Sequence, residues 1–311
     1  MEDQLSPTEE NLAVGTLFVK DVDRLDCAVF DPSLGVVGQS WYVDIEVAGQ
    51  LDDNGFVYDF SHLKKLVKLV LKKSLDHALL IPIQSTHVRY QESEAGEVWF
   101  LKAQGRLTGA NSEWVYACPK GAVYPIRSVK VAESLIEAEC MRLIRHRLTP
   151  GIQKVGIKFR PEVGEATDSF FRYTHGITEH QGLCQRLFHG HRSRVEVFVG
   201  GERRRDLEQY IAHDLFNSVV HIASKTQVVE NPQHYNPTGS GDDLVTLAYE
   251  GTLGSYEASI PSNRVFWVED HTSIECISQA LASHLANKLN SSCEIRVVCY
   301  EGIDKGAVAV V

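Results

Sequence analysis

The 311-residue chain lacks any apolar run near the ~20 residues needed to cross a bilayer; runs such as AVAVV at 307–311 are far shorter. It is also short of positive charge, with 31 Lys and Arg against 41 Asp and Glu and a net charge of −10. A uniformly basic coat for nucleic acid is thereby excluded, although a local positive pocket could still receive an anion. Cysteine is sparse and unpaired in pattern: Cys27, Cys118, Cys140, Cys184, Cys276, Cys293 and Cys299 are odd in number, which argues for free thiols in a reducing compartment. The opening MEDQLSPTEENLAVG has neither the basic start nor the apolar core of a signal peptide. The expectation is a soluble cytoplasmic protein with no membrane or nucleic-acid partner.

What is present is a globular composition, 43% hydrophobic and 23% charged, long enough for two domains at ~150 residues each. The two halves resemble each other. Pro119-Lys-Gly-Ala-Val-Tyr124, followed by Glu133 and an apolar-periodic stretch, matches Pro261-Ser-Asn-Arg-Val-Phe266, followed by Glu275, at an offset of 142. Gly38–Val47 matches Gly190–Val199 at an offset of 152, and both alternate apolar and polar residues as half-buried strands do.

Each half reads as two strands, a helix, extra strands, a second helix and a closing strand. The first half has strands in VGTLFVKDV and QSWYVDIEVAG, a helix from Ser61, strands in HVRYQ, EVWFLKAQG and EWVYAC, a helix over 131–147, and GIQKVGIKF. The second half has FFRYTHGI, SRVEVFVGG, a helix in DLEQYIAHDLFN, strands in LVTLAYEG, YEASI and VFWVE, a helix from Ser273 and CEIRVVCYE. Segment 161–169 is the expected linker, giving domains over 1–160 and 161–311 in an α+β arrangement. The lysines of the 64–73 helix lie opposite Leu63, Leu66, Val67 and Val70, as on a solvated face.

The richest segment is 170–201. His189 and His191 are two apart at the start of a strand, so both point to one face. A hairpin would bring His175 beside them. Three imidazoles on one point can hold zinc with an open fourth position, and Cys184 is close enough in sequence to be a fourth ligand or a reactive thiol.

These residues resemble the 6-pyruvoyltetrahydropterin and 6-carboxytetrahydropterin synthase family. The family's F-x-A-x-H, Cys and H-G-H stand here as Phe171–His175, Cys184 and His189-Gly190-His191. Its D-F-x-x-L-K and L-D-H-x-x-L stand as Asp59–Lys64 and Leu75-Asp76-His77-Ala-Leu-Leu80, its T-x-E as Ser273-Ile274-Glu275, and its closing-strand Glu as Glu301. The resemblance implies two tandem T-fold domains, each an antiparallel sheet with helices on one face.

The departures divide the motif between the halves. In the first half the zinc histidines are matched by Phe30, Val37 and Gln39, and Glu301 by Phe159, yet Asp76-His77 remain. In the second half Val220-His221 is matched to the Asp-His pair, while His175, His189, His191, Cys184 and Glu301 remain. One composite site per chain is implied. If the two domain types must alternate around a ring, the ring holds four domains, a homodimer, or a tetramer with rings stacked; three first-half domains stacked on three second-half domains is the other arrangement.

The resemblance further implies Zn2+ on His175, His189 and His191, with Cys184, Asp76 and His77 catalytic and Glu301, Glu275 and Ser273 binding a pterin. The implied reaction converts 7,8-dihydroneopterin triphosphate to 6-carboxy-5,6,7,8-tetrahydropterin, on the route to 7-deazapurines such as queuosine. Triphosphate elimination to the 6-pyruvoyl product is one alternative, and non-catalytic pterin or purine binding is another. Four residues separate Cys184 from His189, between the family's three and five, so spacing does not choose the product. Arg186, Arg192, Arg194 and Arg203–Arg205 are read as surface residues that could at most serve a triphosphate. His180, His213, His221 and Glu179 have no motif role.

Overall fold

The computed structural model describes residues 14–93, 96–105, 109–234, 244–290 and 292–311, so residues 1–13 of the acidic opening lie outside the described residues. The first half carries β1 (Val14–Asp31), β2 (Gly35–Gln50), α1 (Phe60–Ser74), β3 (Leu79–Pro82), β4 (Val88–Ser93), β5 (Gly96–Gly105), β6 (Gly109–Cys118), β7 (Val123–Ile126), α2 (Glu133–Arg145) and β8 (Ile152–Arg160). The second carries β9 (Phe170–His175), β10 (His189–Val199), β11 (Glu202–Arg203), α3 (Arg205–Gln209), β12 (Val219–Ser224), β13 (Leu244–Gly251), β14 (Gly254–Pro261), β15 (Val265–Val268), α4 (Ile274–Leu289), β16 (Ile295–Tyr300) and β17 (Gly306–Val310).

Two differences from the sequence reading stand out. The helix expected through DLEQYIAHDLFN is α3 for one turn and then widens into a π-helical stretch, Tyr210–Leu215. The apolar C-terminal run is β17, antiparallel to β16. Segment 161–169 contains no helix or strand. No described helix is long and apolar enough to cross a membrane.

The repeat is visible in the sheets. The first is ordered β7-β3-β1-β2-β8 and the second β15-β12-β9-β10-β16-β17, the same order with β17 added and β11 paired to β10. Both are antiparallel through their hairpins and continue with two short parallel strands. Helices cover one face of each. Leu63, Val67, Val70 and Leu71 of α1 and Ile136, Cys140 and Ile144 of α2 pack on Leu25, Val43, Ile45 and Phe159, each fully buried aliphatic contributing roughly 1.5–3 kcal/mol. Lys64, Lys65, Lys68, Lys72 and Lys73 are exposed. The α1 start is capped by Asp59, which accepts from His62 N at 2.8 Å, and its last turn carries Lys72 and Lys73. In the second half Ile277, Leu281 and Leu285 of α4 pack on Val195, Val197 and Val297.

The extra strands of the halves form a third sheet together, ordered β13-β14-β6-β5-β4. At its centre β14 runs antiparallel to β6 with Ala258 opposite Tyr116, residues 142 apart. That separation equals the repeat offset, so equivalent residues face each other and a local two-fold axis relates the halves. A second contact lies on the same relation. The hairpins β1–β2 and β9–β10 meet at Gly38 and Gly190, where a Cβ on Gly38 would fall 2.1 Å from Tyr173 O and one on Gly190 2.6 Å from Gly38 Cα. Only glycine permits that approach.

Strand register corrects three of the residue equivalences. Val37 pairs with Val29, and its counterpart His189 pairs with His175, so Val29 rather than Phe30 corresponds to His175. Phe159 pairs with Val43 as Cys299 pairs with Val195, so Phe159 corresponds to Cys299 and Pro161 to Glu301. Leu79 pairs with Ala28 as His221 pairs with Thr174, so the Asp76-His77 positions correspond to Ser218-Val219 rather than Val220-His221. A slip of one or two residues in a gapped match is invisible until strand pairing fixes it. At the corrected positions Val29, Val37, Gln39 and Pro161 offer no ligand set.

Candidate metal and proton-transfer site

The β9–β10 hairpin builds the histidine cluster directly. His175 pairs with His189 across the ladder, and His191 follows one period later on the same face. Ring centroids lie 4.1 Å apart for His175 and His189, 5.0 Å for His189 and His191, and 5.5 Å for His175 and His191. All three are fully buried. Glu301, at the end of β16, places Oε1 3.6 Å from His175 Nε2 and 3.9 Å from His191 Nε2. Gly302 at φ +71 makes the turn behind it, and a Cβ there would lie 2.6 Å from Asp26 Oδ1.

The first half completes the arrangement within the same chain. After α1 the backbone turns through His77, a non-glycine residue at φ +58, held by His77 N donating to Asp26 O at 2.7 Å. Left-handed backbone at such a residue costs of order 1–3 kcal/mol and tends to mark a functional position. His77 Nδ1 faces Asp76 Oδ2 at 2.9 Å, and its ring stacks on His189 at 5.0 Å. His77, Cys184 and His189 have ligand-type atoms within 4.8 Å of one another, as do His175, His189, His191 and Glu301. The two groups share His189.

Cys184 sits on a single 3-10 turn, Leu183–Gln185. The shared third sheet holds this turn: Tyr249 Oη donates to Gln185 O at 2.6 Å, Thr252 Oγ1 to Gln185 Oε1 at 3.0 Å, and Phe188 packs edge-on to Tyr116 at 4.7 Å. Arg186 reaches across the halves, donating to Asp76 O at 3.0 Å.

The outer contacts set the imidazoles' orientation. His175 Nδ1 contacts Thr272 O at 2.7 Å and must be the donor, which leaves its Nε2 as a lone-pair atom facing the cluster. His191 Nδ1 faces Asp26 Oδ1 at 3.3 Å, and Asp26 also accepts from Ser40 and lies 3.3 Å from Lys305 Nζ. His175 Nε2, His77 Nδ1 and both ring nitrogens of His189 and of His191 are buried without a hydrogen-bond partner, so Asp26 and Asp76 face His191 and His77 as charge partners. Buried ring nitrogens left without partners, converging from three imidazoles, fit a metal ion of the imidazole-binding kind.

Electrostatics favour that state. Burial, reinforced by the neighbouring histidines, pushes His175 down to about 3 and His189 well below the usual imidazole range. Burial alone takes His221 to about 3. Glu301 is raised by burial, but His191, His175 and Lys305 outweigh this and lower its pKa. His77 behaves oppositely: burial pulls it down, and Asp76 and Cys184 outweigh it, giving about 10. The site therefore pairs two buried histidines of lowered pKa, His175 and His189, with a readily protonated imidazole at His77.

Other expected residues lie at its edge. Ser273 caps α4, accepting from Cys276 N at 3.4 Å, and Glu275 is exposed in that helix's first turn. His221 is a core residue, contacting Thr174 Oγ1 at 2.9 Å, and Glu179, His180 and His213 are exposed. Arg194 pairs with Glu162 and Glu196, Arg203 with Glu208 and Asp168, Arg204 with Asp206, and Arg205 with Asp168 and Glu165. Asp26, Lys305 and Thr272 were not singled out by the sequence. The length of β1 brings Asp26, the turn after β16 brings Lys305 and the segment leading into α4 brings Thr272.

A family model described as 6-pyruvoyl tetrahydropterin synthase matches residues 34–109 and 166–310, one segment in each half. A protein of Methanocaldococcus jannaschii, provisionally named a 6-carboxy-5,6,7,8-tetrahydropterin synthase, is 42% identical over 62 residues, 19% of this chain and 37% of that relative's length. A solved 6-pyruvoyl tetrahydropterin synthase from Plasmodium falciparum shares 20% identity over 47% of this chain and 98% of its own, with a TM-score of 0.37. The Plasmodium vivax enzyme shares 19% over 48% and 98%, also at 0.37. On the family match, which takes in more than half of its residues in two segments, the chain is a tandem-duplicated T-fold protein that belongs to the 6-pyruvoyl tetrahydropterin synthase family.

Proposed function

We propose that the chain is a zinc-dependent lyase acting on 7,8-dihydroneopterin triphosphate, with 6-carboxy-5,6,7,8-tetrahydropterin as product and one composite site per chain. The observation that carries this reading is the sharing of His189 between a three-histidine cluster and the His77–Cys184 pair. Family membership and the 6-carboxytetrahydropterin name of the M. jannaschii relative support the substrate and product classes.

In this reading His175, His189 and His191 hold the ion, which supplies Lewis acidity toward a side-chain oxygen of the substrate. The Thr272 carbonyl keeps His175 in the tautomer that presents Nε2 inward, and Asp26 places a carboxylate beside His191 Nδ1. Cys184 takes a proton as the base, and His77 moves a second proton, its tautomer fixed by Asp76. Glu301 accepts from the amino-pyrimidinone edge of the pterin, with Glu275 and Ser273 as further anchors at the start of α4. The competing role for Glu301, a fourth ligand, would close the open coordination position that catalysis needs.

The site needs no neighbouring subunit to bring Asp76-His77 to the histidines, so the ring need not alternate domain types. We therefore favour three first-half domains stacked on three second-half domains, with no membrane or nucleic-acid partner and a cytoplasmic location.

Three measurements test the reading. Metal analysis should find about one zinc per chain, lost in His189→Ala and retained in Glu301→Gln; two per chain, or loss in Glu301→Gln, contradicts it. Turnover of dihydroneopterin triphosphate should fall by about 10²–10⁴-fold in Cys184→Ala and in His77→Ala, and equal activity in all three proteins would remove the mechanism. Light scattering should report three chains per particle, and two would restore the four-domain ring.

A further inference from the structure

The local two-fold axis that builds the histidine site must also generate its mirror position, where first-half residues replace the ligands. A cleft lies there, about 490 Å³ in volume, with Val29, Val37, Gln39 and Pro161 at the counterparts of His175, His189, His191 and Glu301. The ligand atoms are gone but the space has not been filled by larger side chains.

Two arginines enter this cleft from the second half, Arg172 and Arg192. They are direct cross-strand partners on β9 and β10, both half-buried. Like charges placed directly opposite on a sheet destabilise it. Here no carboxylate forms an ion pair with either among the described residues. Arg172 Nε is 3.5 Å from Gln39 Oε1, while Arg192 donates to Glu162 O at 3.0 Å and lies 3.7 Å over the Phe170 ring. Every other arginine considered near the motif has an acidic partner or, for Arg186, a carbonyl inside the catalytic site. Burial lowers the pKa of both guanidiniums, a cost that a bound anion would offset.

The lining also carries an acceptor. Glu133, the repeat counterpart of Glu275, receives the Trp41 indole N–H on Oε2 at 2.9 Å, which leaves its other oxygen available. The α2 start beside it has Ala132 as N-cap and no side-chain cap; Leu135 N donates to Ala132 O at 3.0 Å, and the Glu133 and Ser134 amides have no capping side chain. Asp31 also lines the cleft and is paired with Lys130 Nζ at 3.3 Å, so the lining offers donors for an acid, the Glu133 carboxylate for N–H groups and the apolar Val29, Val37 and Ile136, which together describe one kind of ligand.

We propose that this cleft is a second, metal-free binding site for a flat heterocycle that carries N–H donors at one edge and a carboxylate or phosphate substituent, the acid held by Arg172 and Arg192 and the N–H edge by Glu133. It extends the pterin reading of the histidine site to a site where no ligand set remains. Its residues are separate from that site, so it can be tested when turnover is absent.

Calorimetry on the full chain with pterin-6-carboxylate and, separately, inorganic pyrophosphate provides the test. In a chain carrying both His189→Ala and Glu301→Ala, which lacks a metal ligand and the pterin acceptor of the histidine site, pterin-6-carboxylate should still bind, about one per chain. Adding Arg172→Gln or Arg192→Gln should weaken that binding about tenfold or more, roughly 1.4 kcal/mol, while Arg192→Lys recovers part of it and Glu133→Gln weakens pterin-6-carboxylate but not pyrophosphate. Absence of binding in that double variant, or binding indifferent to both arginine variants, overturns the site. Pyrophosphate binding as tightly as pterin-6-carboxylate, or no effect of Glu133→Gln, overturns the heterocycle.

Discussion

The structure depends on the contact of two backbones at Gly38 and Gly190. A side chain at either position would collide with main-chain atoms that cannot move without breaking a ladder. The approach brings the β9–β10 hairpin with its histidines against the end of β1, where Asp26 meets His191 and the turn after α1 delivers His77. It also fixes the local two-fold axis, so the same contact that assembles one site creates the emptied counterpart on the other side.

The third sheet secures this contact from outside. Its strands come from both halves and pair across the axis at Tyr116 and Ala258. Its aromatic face, with Trp114 and Tyr116 against Phe188, pins the segment that leads from Cys184 into β10. Cys184 therefore owes its position to both copies of the repeat. That gives the extra strands a role which neither half could fulfil alone: they hold the thiol in register with His77 and His189.

Much of the site was legible because it follows from period-two alternation. His-x-His at a strand start and a third histidine on the preceding strand specify a cluster before any coordinate is known, and the sheet order confirms the duplication. The repeat offset even contains the symmetric pairing of β6 with β14. What could not be read was register. Phe30, Phe159 and Val220-His221 were matched one or two residues away from their counterparts, because gapped similarity between strands carries no information about which residue faces which. Asp26 and Lys305 were hidden for another reason. An isolated Asp on a strand and a Lys in a turn acquire meaning only through contacts distant in sequence, Asp26 to His191 across 165 residues and Lys305 to Asp26 across 279.

The central claim is that the first half of a chain completes the active site of its own second half. Mixing His77→Ala and Cys184→Ala chains and reassembling them tests this most directly, with dihydroneopterin triphosphate turnover as the readout. If the site forms within one chain, every site in the mixture carries a defect and activity stays at the level of the separate variants. Recovery of a substantial fraction of wild-type activity on mixing would show that His77 serves a neighbouring chain, and would contradict the account.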